Sequence, residues 1–190
     1  KLSTFLNVFG LGVGIACCLF VFTIVTFEHS FDQFHDKAKQ IFRVVRHFDG
    51  DDGFSRNGLV AYPVGDAIEQ GVPEIINTIK IHGPVSEKIS FTDTSSQKQV
   101  FRDGNVVYTN SSFLEAFDFA ILKGATPEAL SEPDRAFISE ELSLRYFDKM
   151  DPIGQVLEID KDKIEIVGVV ADPPSNTNHP YSLIVSLPTL

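Results

Sequence analysis

The sequence predicts an α+β fold: one apolar helix long enough to cross a membrane, then an acidic domain of short strands and short helices. Three observations carry this. No charged side chain occurs between Phe5 and Phe27, and all 26 acidic residues lie at or after Glu28. Candidate strands and helices then alternate irregularly with no internal repeat, the pattern of helices laid on mixed sheets. The chain has 17 phenylalanines, more aromatic side chains than a disordered tail carries.

The uncharged run would make about 34 Å of helix, enough to cross a hydrocarbon core of about 30 Å. Thr23 and Thr26 are its polar interruptions near the far end, and both can bond back to carbonyls of their own helix. Lys1 precedes the run while Glu28, Asp32 and Asp36 follow it, so the positive-inside rule places the N-terminus in the cytoplasm and residues 28–190 outside. A cleaved secretory signal fits poorly, because the run is long and ends in Thr-Phe-Glu. A lipoprotein box at Gly14-Ile15-Ala16-Cys17 lacks the usual leucine, and the chain after it stays apolar. Gly10 and Gly14 have the GxxxG spacing, and Cys18 extends this small face by one turn, so the helix is expected to pack against other helices. Cys17 and Cys18 are read as packing residues. The exported part contains no cysteine and so no disulfide.

Beyond the membrane, Ser30 and Gln33 have the spacing of a capping box, with Phe31 and Phe34 on one side of a short helix. Ile41–Phe48 reads as a strand ended by Asp49-Gly50-Asp51-Asp52-Gly53. Pro63–Gln70 fits a helix stopped by Gly71 and Pro73. Ile75–His82 and Glu87–Thr92 are strands, and Gln99–Thr109 is a hairpin turning at Asp103-Gly104. Helices follow at Ser112–Phe117, from Thr126-Pro127-Glu128, and from the cap Ser139 to Phe147. Strands near Gln155–Ile159, Lys163–Ala171 and Tyr181–Leu187 close the segment.

From residue 28 onward 15 basic side chains face 26 acidic ones, a net charge of −11. That sign excludes a nucleic-acid-binding domain and disfavours broad docking on an anionic lipid surface. No nucleophile elbow, zinc-protease motif or Gly-rich phosphate loop occurs. The five histidines are scattered, and His29 and His35 are six apart, off a common helical face. Asp49, Asp51 and Asp52, and likewise Asp160, Asp162 and Glu165, superficially resemble calcium loops but lack the twelve-residue pattern. Asn110-Ser111-Ser112 is a glycosylation sequon at the start of a helix. No catalytic, cofactor or metal site is predicted, and the chain is read as non-enzymatic.

Several stretches together resemble the start of MacB/FtsX-type ABC transporter permeases, in the version typical of Bacteroidetes. They are Asn7, Gly10-Leu11-Gly12 and Gly14; Phe31-Asp32-Gln33-Phe34-His35; Ile41-Phe42-Arg43-Val44; Phe117-Asp118-Phe119 with Leu122-Lys123-Gly124; and Ala129-Leu130-Ser131-Glu132-Pro133. Tyr146-Phe147, Asp151-Pro152-Ile153-Gly154, Gly168-Val169, Asp172-Pro173-Pro174 and Asn178-His179 complete the series. Asp148 departs from it, standing where the family often has glycine after the Tyr-Phe pair.

The resemblance implies residues 1–30 as transmembrane helix and flanks and residues 31–190 as a MacB-like periplasmic core domain. It further suggests two lobes, 31–81 with 164–190, and 82–163. It implies a permease subunit in the bacterial inner membrane, powered by a cytoplasmic ABC ATPase on a separate chain, paired with a second permease subunit and served by a periplasmic adaptor. Phe27, Phe31 and Phe34 would couple the membrane helix to the domain, and Gly10, Gly14 and Cys18 would pack it against neighbours. The domain would then transmit ATP-driven movement to the export of an envelope substrate. The competing reading is an extracytoplasmic ligand-sensing domain of a membrane-anchored receptor, against which the small-residue helix face weighs.

Overall fold

In the computed structural model, which describes residues 2–35, 37–50, 53–92 and 98–190, the apolar run forms one helix, α1 (Leu2–His29). None of its residues is buried. Leucine, phenylalanine and valine point outward all round it, as on a helix made for an apolar solvent. Thr23 donates to the Leu19 carbonyl at 2.8 Å and Thr26 to that of Phe22 at 2.9 Å, so neither hydroxyl is left unpaired.

The domain is α+β, as the sequence predicts. A hairpin, β1 (Arg46–Gly50) with β2 (Gly53–Asn57), stands apart from a seven-stranded mixed sheet. The sheet is built from β3 (Ile81–Thr92), β4 (Lys98–Thr109), β5 (Ile121–Gly124), β6 (Arg135–Ser139), β7 (Val156–Ile159), β8 (Asp162–Val170) and β9 (Leu183–Ser186). Their order is β5-β8-β6-β9-β4-β3-β7, and β7 also pairs with β8, so the sheet curls back on itself. The helices are α2 (Tyr62–Gly71), α3 (Ser112–Ala116) and α4 (Glu140–Phe147).

Strand alternation divides the core into two layers. Val106 and Tyr108, Ala136 and Ile138, and Leu183 and Val185 enter the layer that α4 covers with Leu142, Tyr146 and Phe147. Val107, Phe137 and Ile184 point the other way, onto Phe113, Leu114 and Phe117 of the α3 region. Strands β6 and β9 are thus buried on both faces. Residues 164–190, grouped in the sequence reading with 31–81, supply β9 and most of β8 to the sheet that residues 82–163 also build.

Several expected elements take another form. Asp103-Gly104 is not a turn, because β4 runs through it. There β4 spends three steps, Val106 to Asp103, against two on β3, Val85 to Glu87, which is a β-bulge. The buried Asp103 carboxylate holds the bulge, accepting from the Asn105 amide at 2.9 Å and the Ser182 hydroxyl at 3.1 Å and pairing with Arg145. The sequence signal was therefore real but belonged to a bulge; the connection at 93–97 lies outside the described residues. Strands β2, β5 and β6 were not expected. Of the expected strands Ile41–Phe48 and Ile75–His82, residues 41–45 and 75–80 form no strand, and Thr78 and Lys80 bond instead to the side chains of Glu69, Asn110 and Thr109. The capping box at Ser30 is absent, since its hydroxyl donates backward to the Phe27 carbonyl at 2.7 Å and residues 30–34 turn rather than coil.

Ser139 does cap α4, accepting from the Leu142 amide at 3.2 Å. The helix ends at Asp148, with φ +51° and ψ −113°, a conformation that suits glycine and strains an L residue. Asp148→Gly is expected to stabilise the domain by about 1 kcal/mol, net of the extra freedom glycine gives the unfolded chain. Thermal unfolding should then rise by about 2–4 °C, and no rise would mean that this turn carries no strain.

Candidate functional site

The chain leaves α1 through a turn at residues 30–34, and Asp32 makes it possible by adopting φ +54°, which a short polar side chain tolerates. What fixes the turn lies far away in sequence, in the loop between β8 and β9. The Asp32 amide donates to the Asn176 carbonyl at 3.1 Å, and the Asn176 side-chain amide donates back to the Ser30 carbonyl at 2.9 Å. The Asp32 carboxylate accepts from the Thr177 hydroxyl at 2.9 Å and the Asn178 amide at 3.0 Å, and from the Asn178 side chain. The same loop reaches α4, because Asp172 accepts from the Glu141 amide at 2.8 Å.

His35 follows as a plug, 6% exposed. Its ring lies 4.1 Å from that of Phe34 and 5.4 Å from that of Phe117; Phe117 in turn lies 4.2 Å from His179. Phe113 and Tyr181 complete the aromatic stack on the core side. The His35 nitrogens stand 3.7 Å from Asp32 and 3.9 Å from Asp118, beyond hydrogen-bonding distance.

Two ionisable groups of this joint are displaced in a shared direction. Burial holds the His179 imidazole below its ordinary 6.5, with Asp32 opposing and His35 reinforcing the shift. For Asp32, burial alone would raise the carboxyl, but hydrogen bonds from Asn178 and Thr177, helped by His179, outweigh it and hold the group below 3.8. Both folded values lie below the unfolded ones, so the unfolded chain binds more protons in each window. The stability from His179 is complete above pH 6.5 and declines below it; that from Asp32 is complete above pH 3.8 and declines below that. Denaturant unfolding measured against pH should therefore weaken first below pH 6.5, and His179→Gln should flatten this first decline. An unchanged profile in that variant would show that His179 does not titrate against the fold.

The residues singled out in the sequence fall in two places. Gly10, Gly14 and Cys18 lie on the bare surface of α1, with open space where a Cβ would stand at either glycine. Phe27 and Phe31 meet edge to face at 5.3 Å across the end of α1, while Phe34 is exposed on one side and rests on His35 by the other. Sequence reasoning passed over Asp32, His35, Asn176 and Thr177 as site residues. Asp32 and Asn178 each stood in a noted motif, but nothing in a one-dimensional pattern joins positions so far apart.

Among the described residues no group of histidine, cysteine, aspartate and glutamate is arranged to bind a metal. Glu165 is engaged by Arg135 rather than joined with Asp160 and Asp162. Asp51 and Asp52, and the side chain of Asp49, lie outside the described residues. The Asn110 side chain of the sequon is used internally, accepting from the Lys80 amide at 3.2 Å and donating to the Thr78 carbonyl at 2.8 Å.

The family described as MacB-like periplasmic core domain matches residues 4–190. Among solved structures, a domain described as that of a permease protein from Porphyromonas gingivalis superposes with a TM-score of 0.61 at 18% identity, over 77% of this chain and 61% of that one. The periplasmic region of MacB from Actinobacillus actinomycetemcomitans gives 0.49 at 14% identity, over 66% and 55%. The extracellular domain of the noncanonic ABC-type transporter YknZ from Gram-positive bacteria gives 0.49 at 14%, over 69% and 64%. The chain thus spans less than two thirds of the length of each of these domains. No curated protein matches the sequence.

Proposed function

The chain belongs to the family of MacB-like periplasmic core domains, and from that membership we propose that it is the front part of an ABC transporter permease whose domain carries movement between membrane and envelope. Residues 1–30 form the membrane crossing and its flanks, and residues 31–190 belong to the periplasmic domain. The N-terminus lies in the cytoplasm of a cell whose inner membrane holds the protein. A cytoplasmic ABC ATPase on another chain supplies the energy, a second permease subunit completes the transporter, and a periplasmic adaptor receives the cargo. The chain itself is not an enzyme.

The observation that supports this most is the bonding of the turn after α1 to the β8–β9 loop, through Asp32 and residues 176–178. A helix merely tethering a domain needs no such clasp. Here a tilt or rotation of α1 must move the loop, and with it β8, β9 and the α4 terminus, as one body. Coupling at a distance works through elements that have two arrangements, and the clasp would link α1 to one of them.

The test is to insert a flexible Gly-Ser segment between His29 and Ser30 in the full-length permease. ATP hydrolysis by the copurified ATPase should persist while substrate export is lost. Export at the parental level would overturn the reading, and so would copurification with a signalling domain instead of an ATPase.

A further inference from the structure

A buried polar atom without a hydrogen bond calls for an explanation, and His35 has two of them. The residue is 6% exposed, yet neither ring nitrogen has a hydrogen-bond partner among the described residues. The ring nevertheless lies between two acids. Its Nε2 stands 3.7 Å from an Asp32 oxygen and its Nδ1 3.9 Å from an Asp118 oxygen, one carboxylate for each nitrogen. The two acids belong to separate parts of the fold. Asp32 lies in the turn after α1, and Asp118 in the connection from α3 to β5.

Protonation decides what this arrangement can do. Ionised carboxylates only accept hydrogen bonds, and a neutral imidazole carries a single N–H. A neutral ring can therefore satisfy at most one of its two neighbours, and its other nitrogen meets a carboxylate lone pair against lone pair. An imidazolium has an N–H on each nitrogen and matches both. Closing each gap by about 1 Å gives charge-assisted bonds of about 2.8 Å. A buried charge persists only when it is paired, and here an opposite charge stands on either side of the ring.

We propose that His35 is a proton-operated latch at the exit from the membrane helix. Neutral, it bonds to neither acid. Charged, it draws Asp32 and Asp118 onto its two nitrogens and ties the turn after α1 to the α3–β5 connection, in addition to the β8–β9 loop. The latch gives the joint two arrangements and lets the acidity around the domain choose between them. His179, in the β8–β9 loop, is the other titrating ring here, and charges on the two histidines repel. Acid therefore acts twice at this joint, weakening the fold through His179 and tightening the latch through His35. The nearby Lys37 amine is engaged by the Glu115 carbonyl at 3.4 Å. The inference rests on the geometry of the joint and is independent of the transport reading.

Two measurements on the full-length permease in detergent test it, at about pH 8 and about pH 5, either side of the histidine range. Asp32, held below 3.8, stays ionised at both. In histidine-labelled protein, nitrogen NMR should show His35 with one N–H at the higher pH and two at the lower. Hydrogen exchange of the peptide 30–35, corrected for the intrinsic effect of pH, should slow toward the lower pH by about tenfold relative to His35→Gln. Asp118→Asn leaves the ring in place and removes one of its two charges, so it should lose much of that slowing with the sheet still folded. A His35 ring that stays neutral at about pH 5 would overturn the proposal. So would an Asp118→Asn exchange profile that follows the parent at both pH values, whatever His35→Gln does to folding.

Discussion

Gly124→Ala should cost the domain about 3–5 kcal/mol, a large share of the stability of an ordinary domain. Gly124 sits at φ +103°, where an L side chain is strained by about 1–3 kcal/mol. Its surroundings add a second cost. A Cβ there would lie 2.3 Å from the Val167 carbonyl oxygen and 2.6 Å from the Gly168 Cα, both backbone atoms of β8 that cannot swing away as a side chain would. Forcing them apart opens the β5–β8 pairing where Gly124 faces Gly168 and where Ala125 donates to that same carbonyl at 2.9 Å. Crowding of this kind typically costs a further 1–3 kcal/mol. Gly154→Ala is the control, because Gly154 has φ +81° with nothing within 4 Å of its Cβ and should pay only the strain. Urea unfolding of the two variants separates the terms. Equal losses would mean that the close approach of β5 to β8 is not real.

Asp32→Ala is expected to release the membrane helix from the domain while leaving the sheet folded. The carboxylate accepts from Thr177 and from both amides of Asn178, and bonds to a charged acceptor are worth about 1.5–3 kcal/mol each when desolvated. Asp32 is only partly buried, so about 2–4 kcal/mol for the set is a reasonable scale. Alanine also adopts φ +54° less readily than aspartate. Limited proteolysis should then cut at Lys37 or Lys39 much faster, denaturant unfolding should weaken by about that amount while the sheet still folds, and export should fall while ATP hydrolysis continues. Asp32→Asn keeps an acceptor and the tolerance for positive φ, so it should restore part of both. Parental export by Asp32→Ala would mean that movement does not pass through the clasp.

How much of this was legible in the sequence depended on the range of the physics involved. The α1 helix, the limits of α2, the Ser139 cap and limits of α4, and the closing strands are set by local composition, and they stand about where the pattern puts them. Strands β5 and β6 escaped notice because they are short, and β6 is buried on both faces and so has no polar alternation to reveal it. The Asp-Gly pair at 103–104 was read as a turn because turn and bulge ask for the same residues. Only the partners of Asp103, Arg145 and Ser182, distinguish the two, and they come from elsewhere in the chain. The site followed the same rule. Phe27, Phe31 and Phe34 were noticed because they repeat within one short stretch, whereas Asp32 matters through residues 176–178, which no periodicity links to it.

By itself the sequence determined the quantities that sum over neighbours: a helix long and apolar enough to cross a membrane, an acidic domain of mixed α+β class, and the family. Tertiary structure alone decided which strands adjoin, why Gly124 must be glycine, and where the helix is fastened. Those depend on contacts between distant segments, whose loop-closure cost is met only when the whole core forms at once.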